Sequence, residues 1–91
     1  MYQIKYGVGG GVNDISDWED TDAEDPYEAM EDAYQKAIEV YQSYEGLHGL
    51  KTLEEIAEEE DLLDSEAYEA YYEEVESWIH YEVRKKNENS V

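Results

Sequence analysis

Tyr2, Ile4, Tyr6 and Val8 alternate with Gln3, Lys5 and Gly7, and this period of two predicts a strand over 2–8 with one buried face. Gly9, Gly10 and Gly11 follow. Consecutive glycines supply positive φ or close backbone approach, so they predict a turn into a second strand over 12–22. Alternation there is broken, because Ile15 and Trp18 have opposite parity; a bulge, or one of the two facing outward, resolves the conflict. Asp25 before Pro26 marks a helix start, since the carboxylate can cap free amides and proline at the first helical position forfeits no hydrogen bond. Met30, Ala33, Tyr34, Ala37, Val40, Tyr41 and Tyr44 then fall on one stripe, with Glu28, Glu31, Asp32 and Glu39 opposite, which predicts a helix over 26–45 ended by Gly46. The connector from Leu47 to Lys51 is expected to tuck its two leucines under the helices. Thr52 with Glu55 is a capping-box signature, and Leu53, Ile56 and Ala57 predict a short helix over 53–61. A third helix is expected over 66–85, capped by Ser65. Its apolar face would be Tyr68, Tyr71, Tyr72, Val75, Trp78 and Ile79, its acidic face Glu66, Glu69, Glu73 and Glu76, and Arg84, Lys85 and Lys86 would favour its negative end.

These elements make an α+β domain over 1–86, an N-terminal β-hairpin packed with three helices, followed by a frayed polar tail over 87–91. An isolated hairpin is marginal in water, so the first and third helices are expected to pack on each other and on one face of it.

Composition changes the picture in three ways. At 91 residues the chain is one domain, and its 41% apolar and 13% aromatic content, arranged periodically, argues for a folded core despite a net charge of −20 and a mean hydropathy of −0.92. The core palette is odd, with ten Tyr, two Trp and no Phe, so Tyr is read as standing in for Phe at the core edge, some hydroxyls reaching the surface. Absence of Cys excludes disulfides and thiolate metal sites. Neither a secretory h-region nor a run of eighteen apolar residues occurs, so a soluble, cytoplasmic protein is expected. So negative a chain is repelled by anionic lipid, DNA and RNA and drawn to basic protein surfaces.

Candidate catalytic and metal motifs are incomplete. The glycine run lacks a following Gly-Lys-Ser/Thr and sits among acids, so it reads as a turn and not a phosphate loop. Asp20, Asp22, Glu24, Glu28 and Glu31 have the spacing of EF-hand ligands, yet the sixth position is Asp25, Pro26 follows, and no helix precedes Asp20. Weak calcium binding is the most this supports. Glu45 and His48 form a single Glu-x-x-His, where di-iron bundles carry two with further inward glutamates. His80 has no evident partner, and Glu82 falls at the centre of the third helix's apolar stripe, where burial would raise its pKa; a helix end that extends past the core accounts for it better. No nucleophile or oxyanion-holding constellation completes an enzyme, and no cofactor is expected.

What remains is the acidic run from Thr52 to Val83. Glu54, Glu55, Glu58, Glu59, Glu60, Asp61, Asp64, Glu66, Glu69, Glu73, Glu74, Glu76 and Glu82 make up thirteen of the 26 acids, with no Lys or Arg between Lys51 and Arg84. Read as one helix, Glu66 to Glu82 would carry six acids over about 25 Å, near one charge per ~4 Å; one DNA strand carries a phosphate every ~3.4 Å. Like charges at Glu54/Glu58, Glu55/Glu59 and Glu69/Glu73 each cost about 0.2–0.5 kcal/mol, more repulsion than solubility requires.

The segments Tyr6-Gly7-Val8-Gly9-Gly10-Gly11, Tyr44-Glu45-Gly46-Leu47-His48-Gly49-Leu50 and Glu76-Ser77-Trp78-Ile79 resemble a group of small acidic phage-encoded proteins of unassigned activity. By overall character the chain also resembles phage DNA-mimic inhibitors of restriction and CRISPR systems. That resemblance implies binding in the host cytoplasm to a basic nucleic-acid-binding protein and transfers no functional residues; the acidic faces themselves supply the candidate contacts, Glu54, Glu55, Glu58, Glu59, Glu66, Glu69, Glu73 and Glu76, with Asp17, Trp18, Asp20 and Asp22 of the second strand. The alternative is an interaction module that uses its Tyr and Trp surface.

Overall fold

The computed structural model describes residues 1–86; the tail expected over 87–91 lies outside them. The order is β1 (Tyr2–Val8), β2 (Asp14–Ile15), β3 (Glu19–Thr21), α1 (Pro26–Tyr44), α2 (Leu53–Glu60), α3 (Asp64–Trp78) and β4 (Ile79–Lys85). The α+β class and the antiparallel N-terminal hairpin stand as the sequence predicts.

β1 is the central strand. One side pairs with β2 and β3, the other along its whole length with β4, from Tyr2 opposite Lys85 to Val8 opposite Ile79. On the hairpin side Gly7 faces Ile15 and Ile4 faces Glu19, so Ser16, Asp17 and Trp18 stand opposite Lys5 and Tyr6 alone. This bulge is one of the two resolutions that the broken alternation allows, and Ile15, which is exposed, meets the other as well. It divides the strand expected over 12–22 into two short pieces, with Val12 left in the turn.

The strand β4 corrects the helix expected over 66–85. Ile79, Tyr81 and Val83 alternate with His80, Glu82 and Arg84, and that period-two pattern overlaps the helical stripe for the first residues. Pairing with β1 decides between the two, because it satisfies backbone groups on the far side of β1 and makes the hairpin part of a larger, self-supporting sheet. The start of α3 moves as well: its N-cap is Leu63, without a side-chain capping bond, and Ser65 lies inside the helix.

Helix α1 begins as predicted, the Asp25 side chain accepting from the Glu28 amide at 2.8 Å with Pro26 at the first position. Ala29, Ala33 and Ala37 are fully buried, and this line of small side chains lets α1 lie close across β1 and β4. Two apolar clusters result. Ile4, Ala29 and Ala33, flanked by Tyr2, Tyr6, Ala23 and Val83, fill one end. Val8, Ile38, Tyr41, Leu50, Ile56, Tyr71 and Val75 fill the other, where sheet and helices meet. Met30, expected on the buried stripe, is exposed, as is Leu47, whereas Leu50 is buried. α3 meets α1 through side chains of its C-terminal half, Tyr34 with Glu76, Tyr41 with Tyr71 and Glu45 with Tyr71, while the closer contact of α1 is with the sheet. The domain is accordingly elongated, 56 × 26 × 15 Å with a radius of gyration of 15.4 Å, against about 12 Å for a compact chain of this length.

Gly7 is the tightest point of the hairpin, because a Cβ there would stand 2.1 Å from the Asp14 carbonyl oxygen. Gly7→Ala is expected to cost about 1–3 kcal/mol, as overpacking against backbone does, and Gly9→Ala, whose nearest neighbour lies 3.9 Å away, far less. Urea midpoints of the two variants measure the difference.

Candidate functional site

α2 and α3 are held so that their acids face outward. The Thr52 hydroxyl accepts from the Glu55 amide at 3.1 Å, and Asp61, in the left-handed region at φ 50°, turns the chain toward α3. Ile56, Ala67, Tyr71 and Val75 point into the core. Glu54, Glu55, Glu58, Glu59, Glu66, Glu69, Glu73 and Glu76, the eight helical candidates expected from the sequence, are all exposed, on two helices that pack against each other. α3 stops at Trp78, which confines its acidic array to Glu66–Glu76. Its four exposed glutamates, Glu66, Glu69, Glu73 and Glu76, span about 15 Å, one per ~5 Å, against the ~3.4 Å of strand phosphates.

Among the described side chains one ion pair lies beside these helices, Lys51 Nζ to Glu59 Oε2 at 2.8 Å. The hydrogen bond and charge of Glu59, with Glu74 and Glu60 beyond, push the Lys51 pKa up. A groove between α2 and α3 is lined by Glu59, Glu60, Glu73 and Glu74 with Lys51 and Ser77. Glu74 is not free: it accepts from Trp78 Nε1 at 3.1 Å.

Tyr68 and Tyr72, expected in the core, are 52% and 42% exposed and share a shallow depression with Glu69, Glu73 and Glu76. The buried line of α3 runs through Ala67, Tyr71 and Val75, which rotates both tyrosines to the rim. Ala67 was the signal for this phase. Glu60 and the two tyrosines are thus site residues that the sequence reading did not include.

Asp17, Trp18, Asp20 and Asp22 form a separate group beside the sheet. Asp20 accepts from Gln3 Nε2 at 2.8 Å and pairs with Lys86 at 3.3 Å, and these two bonds, Gln3 first, hold its carboxyl below the ordinary value. Trp18 packs against cations, Arg84 at 4.2 Å and Lys5 at 5.7 Å from its ring centroid. Asp17 and Asp22 are exposed. The structure does not bring this group together with the acids of α2 and α3.

Several carboxylates instead accept hydrogen bonds from tyrosine hydroxyls. Tyr6 donates to Glu19 at 2.9 Å, Tyr34 to Glu76 at 3.0 Å, Tyr44 to Asp14 at 2.6 Å, and Tyr71 to Glu45. Tyr41 donates to the Lys51 carbonyl at 2.7 Å. Burial, then the bond to Glu76, pushes Tyr34 up to about 12; burial, then the charge of Glu74, does the same for Tyr41. Burial and Glu45 raise Tyr71.

The other sequence candidates are placed as follows. Glu82 is exposed on β4 and pairs with His80 at 2.9 Å, a bond that lowers its carboxyl, so it lies outside the core, on a strand and not on a helix end, and His80 does have a partner. His48 stacks at a tilt on Tyr44. Glu28, of the EF-hand-like spacing, accepts from the Glu24 amide at 2.9 Å, and among the described residues no three His, Asp or Glu converge as metal ligands. Gly9 donates to the Trp78 carbonyl and Gly10 rests on the Trp78 ring, as turn residues. Among the described residues no helix is long and apolar enough to cross a membrane. No protein-family model, curated protein or solved structure matches the chain.

The raised tyrosines make stability fall at alkaline pH. Between the unfolded value of 10 and the folded value of about 12 for Tyr34 and Tyr41, the folded state keeps protons that the unfolded state releases, so their contribution is full below pH 10 and lost as pH rises toward 12. Denaturant midpoints should hold up to about pH 10 and drop above it, less steeply in Tyr34→Phe. Unpaired acids give a second expectation: screening their repulsion should raise the melting temperature between about 20 mM and 0.5 M NaCl, as followed by circular dichroism.

Proposed function

We propose that the protein is an acidic inhibitor that presents the carboxylates of α2 and α3 as a surrogate for nucleic-acid phosphate, and so blocks a basic groove of a nucleic-acid-handling protein, such as a phage inhibitor of restriction or CRISPR effectors. One observation carries this reading: an array of eight exposed carboxylates on α2 and α3, accompanied among the described residues by a single lysine pair. Glu54, Glu55, Glu58, Glu59, Glu66, Glu69, Glu73 and Glu76 are its contact residues. Asp20 and Trp18, already engaged by Lys86, Lys5 and Arg84, are secondary. The role is binding, without catalysis or cofactor, to a basic protein surface in the host cytoplasm.

Tyr68 and Tyr72 support a second reading, an interaction module that seats an apolar patch. Their place beside Glu69, Glu73 and Glu76 makes them aromatic anchors within an acidic rim, the residue type that concentrates binding energy at interfaces.

Displacement of labelled duplex DNA from restriction and CRISPR effector complexes tests the proposal. Inhibition should weaken about tenfold or more between 0.1 and 0.3 M salt, as counterion-linked binding does, and the Glu66, Glu69, Glu73, Glu76→Gln variant should lose it. A complex in which effector, DNA and this protein coexist with the groove still filled by DNA would sink the idea. If Tyr68→Ser with Tyr72→Ser abolishes binding while the four-Gln variant keeps it, the second reading holds.

A further inference from the structure

Strand β4 forms one edge of the sheet, and the short β2 and β3 the other. Lys86 N–H donates to the Met1 carbonyl and Gly9 N–H to the Trp78 carbonyl, both at 2.9 Å, so in this antiparallel register the even-numbered residues of β4 turn their backbone groups toward β1. Tyr81, Val83 and Lys85 therefore turn theirs outward, and among the described residues these groups have no hydrogen-bond partner. Such an edge is a template for another strand unless it is blunted. Neither proline nor bulge interrupts it.

An exposed apolar flank runs beside that edge. Tyr34 meets Tyr81 edge-on at 5.3 Å, which places the Tyr34 side of α1 over β4, while Asp32 bonds to Thr21 and Lys36 covers Tyr6 on the opposite side. Met30 and Tyr27 lie four and seven residues before Tyr34 and so share its flank. They are 44% and 86% exposed, and Tyr81 below them is 36% exposed.

We propose that β4 pairs antiparallel with β4 of a second copy, with Val83 on the two-fold axis. In this register Val83 faces its counterpart and Tyr81 faces Lys85, so the outward backbone groups of Tyr81, Val83 and Lys85 in the two copies bond one another. Glu82 of each copy stands opposite Arg84 of the other. Moving the axis to Glu82 would set two glutamates face to face, a destabilising pair, so charge selects the register. Strands ~4.8 Å apart would place the two α1 helices, each lying over β1 and β4, about 10 Å apart, near the helix packing distance. Because the first turns of α1 pack with Val83, Tyr27 and Met30 of the two copies then meet near the axis.

Sedimentation velocity on the full chain tests this. A species of twice 10.6 kDa is expected at high micromolar concentration and should grow with salt, since screening relieves repulsion between two copies of net charge −20, opposite to the salt response of the acidic groove-binding face. Val83→Pro removes an amide that is unpaired in the single chain, a position where edge strands tolerate proline, and should give a folded monomer. Glu82→Arg and Arg84→Glu should each weaken association about tenfold or more, and an equal mixture of the two should restore it as a mixed dimer, because both cross-axis pairs are again opposite in charge. A wild-type chain that stays monomeric at about 0.5 M salt, a folded Val83→Pro dimer, or a mixture that fails to associate overturns the proposal. Should Val83→Pro not fold, the mixture decides.

Discussion

A surplus of carboxylates over cations governs this fold, and the phenolic O–H of tyrosine is what accommodates it. With 26 acids and six Lys or Arg, most carboxylates cannot be paired by a cation, and one that is partly desolvated still needs a donor. Tyrosine supplies that donor without adding charge. Each bond also joins segments distant in sequence: Tyr6 in β1 to Glu19 in β3, Tyr34 in α1 to Glu76 in α3, Tyr44 at the end of α1 to Asp14 in β2, and Tyr71 in α3 to Glu45 at the α1 cap. Phenylalanine would fill the same volume at Tyr6, Tyr34, Tyr44 and Tyr71 and leave these four acids without their phenol donors.

The few cations are unevenly placed. Lys5, Arg84, Lys85 and Lys86 belong to the sheet or follow it directly, and Lys36 lies over Tyr6. Lys51 alone accompanies α2 and α3. This separates a sheet region, where acids and cations meet, from a helical region of nearly unrelieved negative charge. The two regions suit different partners: the first has a free strand edge with Glu82 and Arg84 side by side, the second an exposed carboxylate array with Tyr68 and Tyr72 at its rim.

Much of this was legible in the chain because the signals are local. β1 follows from alternation, α1 from Asp25, Pro26 and its alanine stripe, and α2 from Thr52 and Glu55. The bulge in the hairpin is one of the two resolutions that the clashing parities of Ile15 and Trp18 allow. The eight glutamates of the helical site were visible too, since exposed acids need only a helix with a defined inner face. Tyr68 and Tyr72 were misplaced because Tyr fits core and rim alike, and the choice turned on where Ala67 packs.

The sequence by itself determined the α+β class, the local element starts and the location of the charge, because periodicity and capping act over a few residues. Tertiary structure alone decided the fate of 79–85 and the use of the tyrosines. Ile79, Tyr81 and Val83 satisfy a helix and a strand alike, and the strand prevails because β1, more than seventy residues earlier in the chain, offers an unpaired row of backbone groups. The same holds for each phenol, whose carboxylate partner is named only when the folded chain brings the two within hydrogen-bond reach.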